Sequence, residues 1–235
     1  MSRIVARDLE GPDELANSAA KDLASELKRL LASQKSVNLV LTGGTVGIKV
    51  LSELAPLIAQ LDVERIQIWW GDERFVEANS PDRNSVQARE ALLSKVLIPE
   101  ANIHAMPSTE DGDLRAAAEA FSAKIDAYPP SFDVVLLGMG GDGHVASLFP
   151  GSSPMEIGGW VVAEPKSPKP PQQRISLSYV ALNSAEQVWF LVSGRDKAAA
   201  VARVFNGEDL PATKVSGNQL TKWYLDKAAA SELTS

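Results

Sequence analysis

The sequence predicts an α/β fold built on a mainly parallel sheet with helices on both faces. Three observations carry that expectation. Short apolar runs at 37–41 (VNLVL), 66–70 (IQIWW), 132–137 (FDVVLL) and 187–192 (QVWFLV) have the length and composition of strands covered on two sides. Stretches with apolar residues at helical spacing fall between them. The strong strands run into glycine-rich or charged segments, where open α/β sheets bind ligands.

In chain order, Ile4-Val5-Ala6 reads as a short strand. Residues 13–33 place Leu15, Ala19, Leu23, Leu27, Leu30 and Leu31 on one helix face. After the 37–41 strand, Thr42-Gly43-Gly44-Thr45 turns into a helix reaching about residue 60. The 66–70 strand follows, then a helix over 84–96 starting at Asn84 or Ser85, and a short strand over 103–106. The Ala-rich stretch 112–127 reads as a helix ended by Pro129-Pro130, ahead of the 132–137 strand. Residues 150–173 are rich in Gly, Ser and Pro, with a short apolar run at 160–163. RISLSY at 174–179 alternates like a half-buried strand. A helix over about 195–205 follows the 187–192 strand, then a late strand at 223–225 and a short C-terminal helix. With no repeat or linker, residues 1–235 read as a single domain.

Composition narrows the chemistry. Zero Cys excludes disulfides, thiolate metal sites, iron–sulfur clusters and a thiol nucleophile. Only His104 and His144 are present, which argues against a multi-His metal site. The expectation is no metal and no cofactor. With 23 Lys+Arg against 30 Asp+Glu, the net charge of −7 disfavours nucleic acid and anionic membranes as partners. No signal-peptide pattern or spanning apolar run is visible, so the expected location is cytoplasmic.

The strand ends supply the candidate site. Thr42, Gly43 and Gly44 form a turn whose backbone approaches a ligand closely and whose helix start offers N–H groups to a phosphate. In Gly71-Asp72-Glu73-Arg74, Arg74 can hold an anion and an acid beside it can orient groups. Gly138, Gly140 and Gly143 match G-x-G-x-x-G, with Glu164 about 20 residues on, the dinucleotide-binding spacing. Asp142 would sit beside the pyrophosphate, and Pro150-Gly151 cuts the following helix short, so a dinucleotide is disfavoured. The same turn offers His144, an imidazole able to take and return a proton near neutral pH, with Asp142 to fix its tautomer. His104 has no such context and reads as structural. Lys197, in the first turn after Ser193-Gly194, opposes the helix dipole and makes sense reaching back to an anion. Arg174 reads as a further anion ligand or a sheet-edge charge. Together these suit proton transfer or hydrolysis on a small phosphorylated molecule. A Ser-His-Asp triad is disfavoured, since G-x-S-x-G is absent and Ser147 follows His144 too closely.

The segments LTGGT (41–45), WWGDERFV (69–76), NSVQARE (84–90), LLGMGGDGHVASLFPG (136–151), RISLS (174–178) and SGRDKAAAVARV (193–204) resemble the glucosamine-6-phosphate isomerase/6-phosphogluconolactonase family over nearly the whole chain. The resemblance implies a Rossmann-like fold of the sugar-phosphate isomerase (deaminase) type. It implies hydrolysis of 6-phospho-D-glucono-1,5-lactone in the oxidative pentose phosphate pathway, without a metal. It makes His144 the general base, Asp142 the acid beside it, Arg74 and Lys197 the cationic substrate ligands, and Thr42, Gly43 and Gly44 the phosphate turn; Arg174 matches a basic position. Asp72 is taken as a substrate-side residue of the same segment as Arg74. The expected partner is a phosphorylated sugar lactone, and the expected assembly a monomer or weak homodimer. An amino-sugar-phosphate isomerase or deaminase, and a non-catalytic sugar-phosphate sensor, are the alternatives. Two departures stand out: Val46-Gly47 where the family commonly has a Pro, and Tyr179-Val180 in place of Leu-Pro.

Overall fold

The structure is a computed structural model that describes residues 2–127 and 129–233. Its centre is a six-stranded sheet formed by β1 (Ser2–Leu9), β2 (Val37–Leu41), β3 (Ile66–Trp70), β5 (Val134–Leu137), β9 (Gln187–Val192) and β10 (Leu220–Asp226), in the order β1-β10-β9-β5-β2-β3. Every neighbouring pair in it is parallel. Side chains alternate across the sheet, as pleating requires. Leu39, Leu41, Val134 and Leu136 pack on one face, with Leu23, Leu27, Leu51 and Leu54 of the helices α1 (Pro12–Ser33) and α2 (Gly44–Ile58). Val40, Val135, Leu137 and Phe190 pack on the other, with Phe121 of α4 (Leu114–Ala127) and Val201 of α6 (Ala198–Phe205). The predicted parallel sheet with two covered faces is therefore present.

A second sheet, antiparallel and four-stranded, lies over the α4 face in the order β4-β8-β7-β6. Its strands are β4 (Asp72–Arg74), β6 (Met155–Ile157), β7 (Val161–Glu164) and β8 (Arg174–Leu177). The sequence signals only part of it. Charged Asp72-Glu73-Arg74 has no apolar alternation, yet it pairs with Ser176-Ile175-Arg174.

Several local expectations need correction. The 174–179 strand stops at Leu177, because Ser178 caps α5 (Tyr179–Asn183) by accepting the Ala181 N–H at 3.2 Å. The 84–96 helix is α3 (Asn84–Ala88) followed by a π-helical turn, Arg89–Leu93. The 103–106 strand reduces to one bridge, Ile68 to Ile103. The helix expected from about 195 opens with a 3₁₀ turn, Arg195–Lys197, before α6. After β10 the described residues form turns and not a helix; Asp226 accepts the Ala229 N–H at 2.7 Å. No helix forms after Gly143; Val145 and Leu148 instead bridge across a tight turn. Among the described residues no helix is long and apolar enough to cross a membrane.

The chain leaves β2 toward β3 at the sheet edge and returns as β5 on the other side of β2. The connections from β2 and β5 therefore diverge, which opens a crevice at their carboxyl ends. β4 and β8 close one side of it.

Candidate active site

A cleft of about 500 Å³ occupies this crevice. Of the nine residues expected at a site, Thr42, Gly43, Gly44, Asp72, Arg74, His144, Arg174 and Lys197 line it. Asp142 stands behind His144. Strand ends far apart in sequence are thus brought to one place.

The Thr42-Gly43-Gly44 turn joins β2 to α2. Thr42 Oγ1 accepts the Gly138 N–H at 3.3 Å, tying the ends of β2 and β5 together. A Cβ on Gly43 would lie 1.9 Å from Asn84 Oδ1, so glycine is required for this approach. The Val46-Gly47 departure has a packing consequence: a Cβ on Gly47 would meet Thr42 Cγ2 at 2.8 Å and its carbonyl oxygen at 2.9 Å. Gly47 lets the first turn of α2 press against Thr42.

Each residue of Asp72-Glu73-Arg74 does something different. Glu73 is fully buried and accepts three backbone N–H groups: Asn84 at 2.7 Å, and Arg74 and Ser85 at 2.9 Å each. It therefore fixes α3 to β4 and does not face the cleft. Asp72 accepts the Ser147 hydroxyl at 2.6 Å and Asn84 Nδ2 at 3.3 Å, with Arg174 Nη1 at 3.8 Å. Ser147 is wholly buried with its hydroxyl engaged, which removes it as a nucleophile. Arg74 Nη1 donates to the Asp82 carbonyl, while its buried Nε has no partner.

The Gly138–His144 turn sets His144 beside Asp142. His144 Nδ1 lies 2.5 Å from Asp142 Oδ1, and the His144 N–H donates to the same oxygen at 3.2 Å. A carboxylate there holds the ring proton on Nδ1 and leaves the Nε2 lone pair open. Among the described residues Nε2 has no hydrogen-bond partner. A Cβ on Gly140 would meet His144 Nδ1 at 2.0 Å, and Gly143 sits at φ +83°. The glycines therefore fold the imidazole back onto its acid. Burial pulls His144 below its ordinary imidazole value, with Lys169 acting in the same direction and Asp142 and Asp72 opposing. Burial alone would raise Asp142, but its bonds to His144 and the nearby Lys169 hold it below the ordinary carboxylate range. Ala146, at φ +47°, is a strained non-glycine position in the cleft wall.

Lys197 lines the cleft from the segment after β9 and pairs with Asp196 at 2.8 Å. Arg174 reaches the wall, but most of its donors are engaged by main-chain carbonyls. His104 stacks on Trp69 at 3.9 Å and meets Gln67 Oε1 at 2.8 Å, a structural placement. Glu164 belongs to β7, accepts the Lys166 N–H at 2.8 Å and does not line the cleft. Two lining residues escaped the sequence reasoning. Asn84 was visible only as a helix start, and Lys169 only as part of a Pro-rich stretch. Asn84 has one buried oxygen without a partner. Among the described residues no three His, Cys, Asp or Glu gather as a metal site.

A family model described as glucosamine-6-phosphate isomerases/6-phosphogluconolactonase matches residues 10–223. The chain is 40% identical to a 6-phosphogluconolactonase of Mycobacterium leprae, over 93% of this chain and 94% of the relative. It is 41% identical to one of Streptomyces coelicolor, over 98% and 94%. A crystal structure of 6-phosphogluconolactonase from Thermotoga maritima superposes with a TM-score of 0.87 at 27% identity, covering 96% of this chain and all of the other. A monomeric glucosamine-6-phosphate deaminase shares the fold with a TM-score of 0.80 at 22% identity, covering 98% of this chain and all of that one.

Proposed function

The chain belongs to the glucosamine-6-phosphate isomerase/6-phosphogluconolactonase family, and from that premise we propose a lactonase in which His144 activates water against a phosphorylated sugar lactone. The enzyme hydrolyses 6-phospho-D-glucono-1,5-lactone to 6-phosphogluconate, a step of the oxidative pentose phosphate pathway. One observation carries the residue assignment. A part-buried imidazole has its Nδ1 locked on Asp142 and its Nε2 open, in a cleft shared with Arg74, Lys197 and the Thr42-Gly43-Gly44 turn.

Water is a poor nucleophile at neutral pH. As its oxygen bonds to the lactone carbonyl carbon, His144 Nε2 takes one of its protons. The carbonyl oxygen gains negative charge and needs a donor. The N–H groups of Gly138, Gly140 and Gly143 are already engaged by Thr42, His144 and Gly140. Arg74, which lines the same cleft, is assigned that role. When the intermediate collapses, the bond between C1 and the ring oxygen breaks. The imidazolium then protonates the departing oxygen, and the new carboxyl group loses its proton to solvent. Asp142 keeps the ring oriented throughout. Lys197 and the Thr42-Gly43-Gly44 turn hold the remote phosphate, so its binding orients the reacting carbon. The mechanism uses no metal or cofactor, and the enzyme works in the cytoplasm as a monomer or weak homodimer.

The shared fold of the deaminase makes an amino-sugar-phosphate reaction the second reading. Lactone hydrolysis is measured against ammonia release from glucosamine 6-phosphate, on chelator-treated protein with a no-enzyme control. Turnover of the lactone alone is expected. Ammonia release without lactonase activity would overturn the assignment, as would binding without any turnover.

A further inference from the structure

The segment between β7 and β8 places a cation on the proposed base. Ser167 closes this strap on itself. Its N–H donates to the Gln172 carbonyl at 2.9 Å, its hydroxyl donates to the Lys169 carbonyl at 3.0 Å, and it accepts the Lys169 N–H at 3.2 Å. Arg174 clamps the strap to β8. Its Nε donates to the Pro171 carbonyl at 2.7 Å, and its Nη2 to those of Pro170 at 3.1 Å and Lys169 at 3.3 Å. Only 7% of this side chain is exposed, and its Nη1 faces Asp72. A planar guanidinium suits such a fork of contacts, and a lysine ammonium does not.

The strap brings Lys169 Nζ to 3.4 Å from His144 Nδ1. Because Nδ1 donates to Asp142, this contact is charge against ring and not a second hydrogen bond. The groups facing the imidazole are then Asp142 from its own turn, Asp72 from β4, Lys169 from the strap and the Phe149 ring, 4.7 Å away between centroids. Arg74, Arg174, Lys197 and Asp196, the ion-pair partner of Lys197, line the same cleft. Two carboxylates near an imidazole favour its protonated form, and an imidazolium cannot take a proton from water.

We propose that Lys169 is a positioning residue of this reaction: the Arg174-clamped strap holds its ammonium at the His144 ring, where it offsets Asp142 and Asp72 and keeps Nε2 free to accept a proton. This inference rests on His144 being the base. It also gives Arg174 a task through the strap instead of through the substrate. The lowering of His144 by Lys169 as well as by burial agrees with it.

The test is an NMR titration of the histidine rings, beside the pH dependence of kcat/KM on the lactone. Only two His are present, so His104, stacked on Trp69, is an internal control. In Lys169→Gln the His144 ring should titrate at higher pH than in the unaltered protein, with His104 unmoved, and Lys169→Arg should restore it. The acid limb of kcat/KM should move up with the ring, while the plateau rate changes only a few-fold. Arg174→Gln should shift the ring the same way, and combining it with Lys169→Gln should add nothing. An unmoved His144 ring in Lys169→Gln overturns the proposal, even if KM rises. A raised KM in Arg174→Gln with an unmoved ring overturns the clamp. A ring that moves while the rate limb stays fixed supports the Lys169–His144 coupling and overturns His144 as the base.

Discussion

The two sheets contribute different things to one cleft. The parallel sheet supplies turns at its carboxyl ends: Thr42-Gly43-Gly44 after β2 and the Gly138–His144 turn after β5. The small antiparallel sheet supplies fixed charge: Asp72 and Arg74 on β4, and Arg174 with the Lys169 strap at β8. The parallel sheet alone would place the proposed base and anchor without fixing what faces them. The small sheet closes that side through Asp72, which takes the Ser147 hydroxyl at 2.6 Å and an Asn84 amide proton at 3.3 Å. Residues of both sheets line the one cleft, so the proposed chemistry belongs to the seam between them and not to either one.

Substitutions on each side sharpen this division. His144→Ala, on the parallel side, has the largest expected effect. Loss of a general base costs about 10²–10⁴-fold in kcat, with binding of 6-phosphogluconate retained in calorimetry. Arg74→Ala, on the small-sheet side, should lower kcat by about 10²–10³-fold if it serves the oxyanion. If steady-state kinetics show a change in KM alone, the small sheet contributes binding and not chemistry. Lys197→Ala should remove the proposed charged contact to phosphate, a loss of roughly 1.5–3 kcal/mol, raising KM by about ten-fold or more with kcat nearly kept. An unchanged KM would remove Lys197 from the phosphate side. The smallest effect on rate is expected for Ser147→Ala, which leaves Asp72 short of a buried donor. It should cost about 1–3 kcal/mol of stability, read as a lower melting temperature. An unchanged melting temperature would show that this tie does not hold the seam.

The two sheets also differ in how far the sequence announces them. A parallel strand buried on both faces is a bare apolar run, so VNLVL, IQIWW and QVWFLV are read at their observed bounds. β4 is three charged residues, and what makes it a strand is its partner β8, 100 residues on. Such pairing leaves no local pattern. RISLSY misled at its end because Ser178 prefers to cap a helix. The Gly140 and Gly143 positions were legible as a special turn, but their close approach to His144 and Leu210 is a tertiary fact. Lys169 stayed hidden for the same reason. It is exposed, lies between prolines and has meaning only through Arg174 and His144.

The proposed mechanism needs a neutral imidazole at the seam. Burial, helped by Lys169 and opposed by Asp142 and Asp72, lowers His144. The free base is therefore present above that lowered value, and activity is lost as pH falls through it. The direct measurement is kcat/KM for the lactone against pH, with spontaneous hydrolysis subtracted, for the unaltered protein beside His144→Gln. The expected result is an acid limb below the ordinary imidazole value of about 6.5, absent from a strongly impaired His144→Gln. A His144→Gln variant within a few-fold of full activity, keeping the same acid limb, would contradict the account.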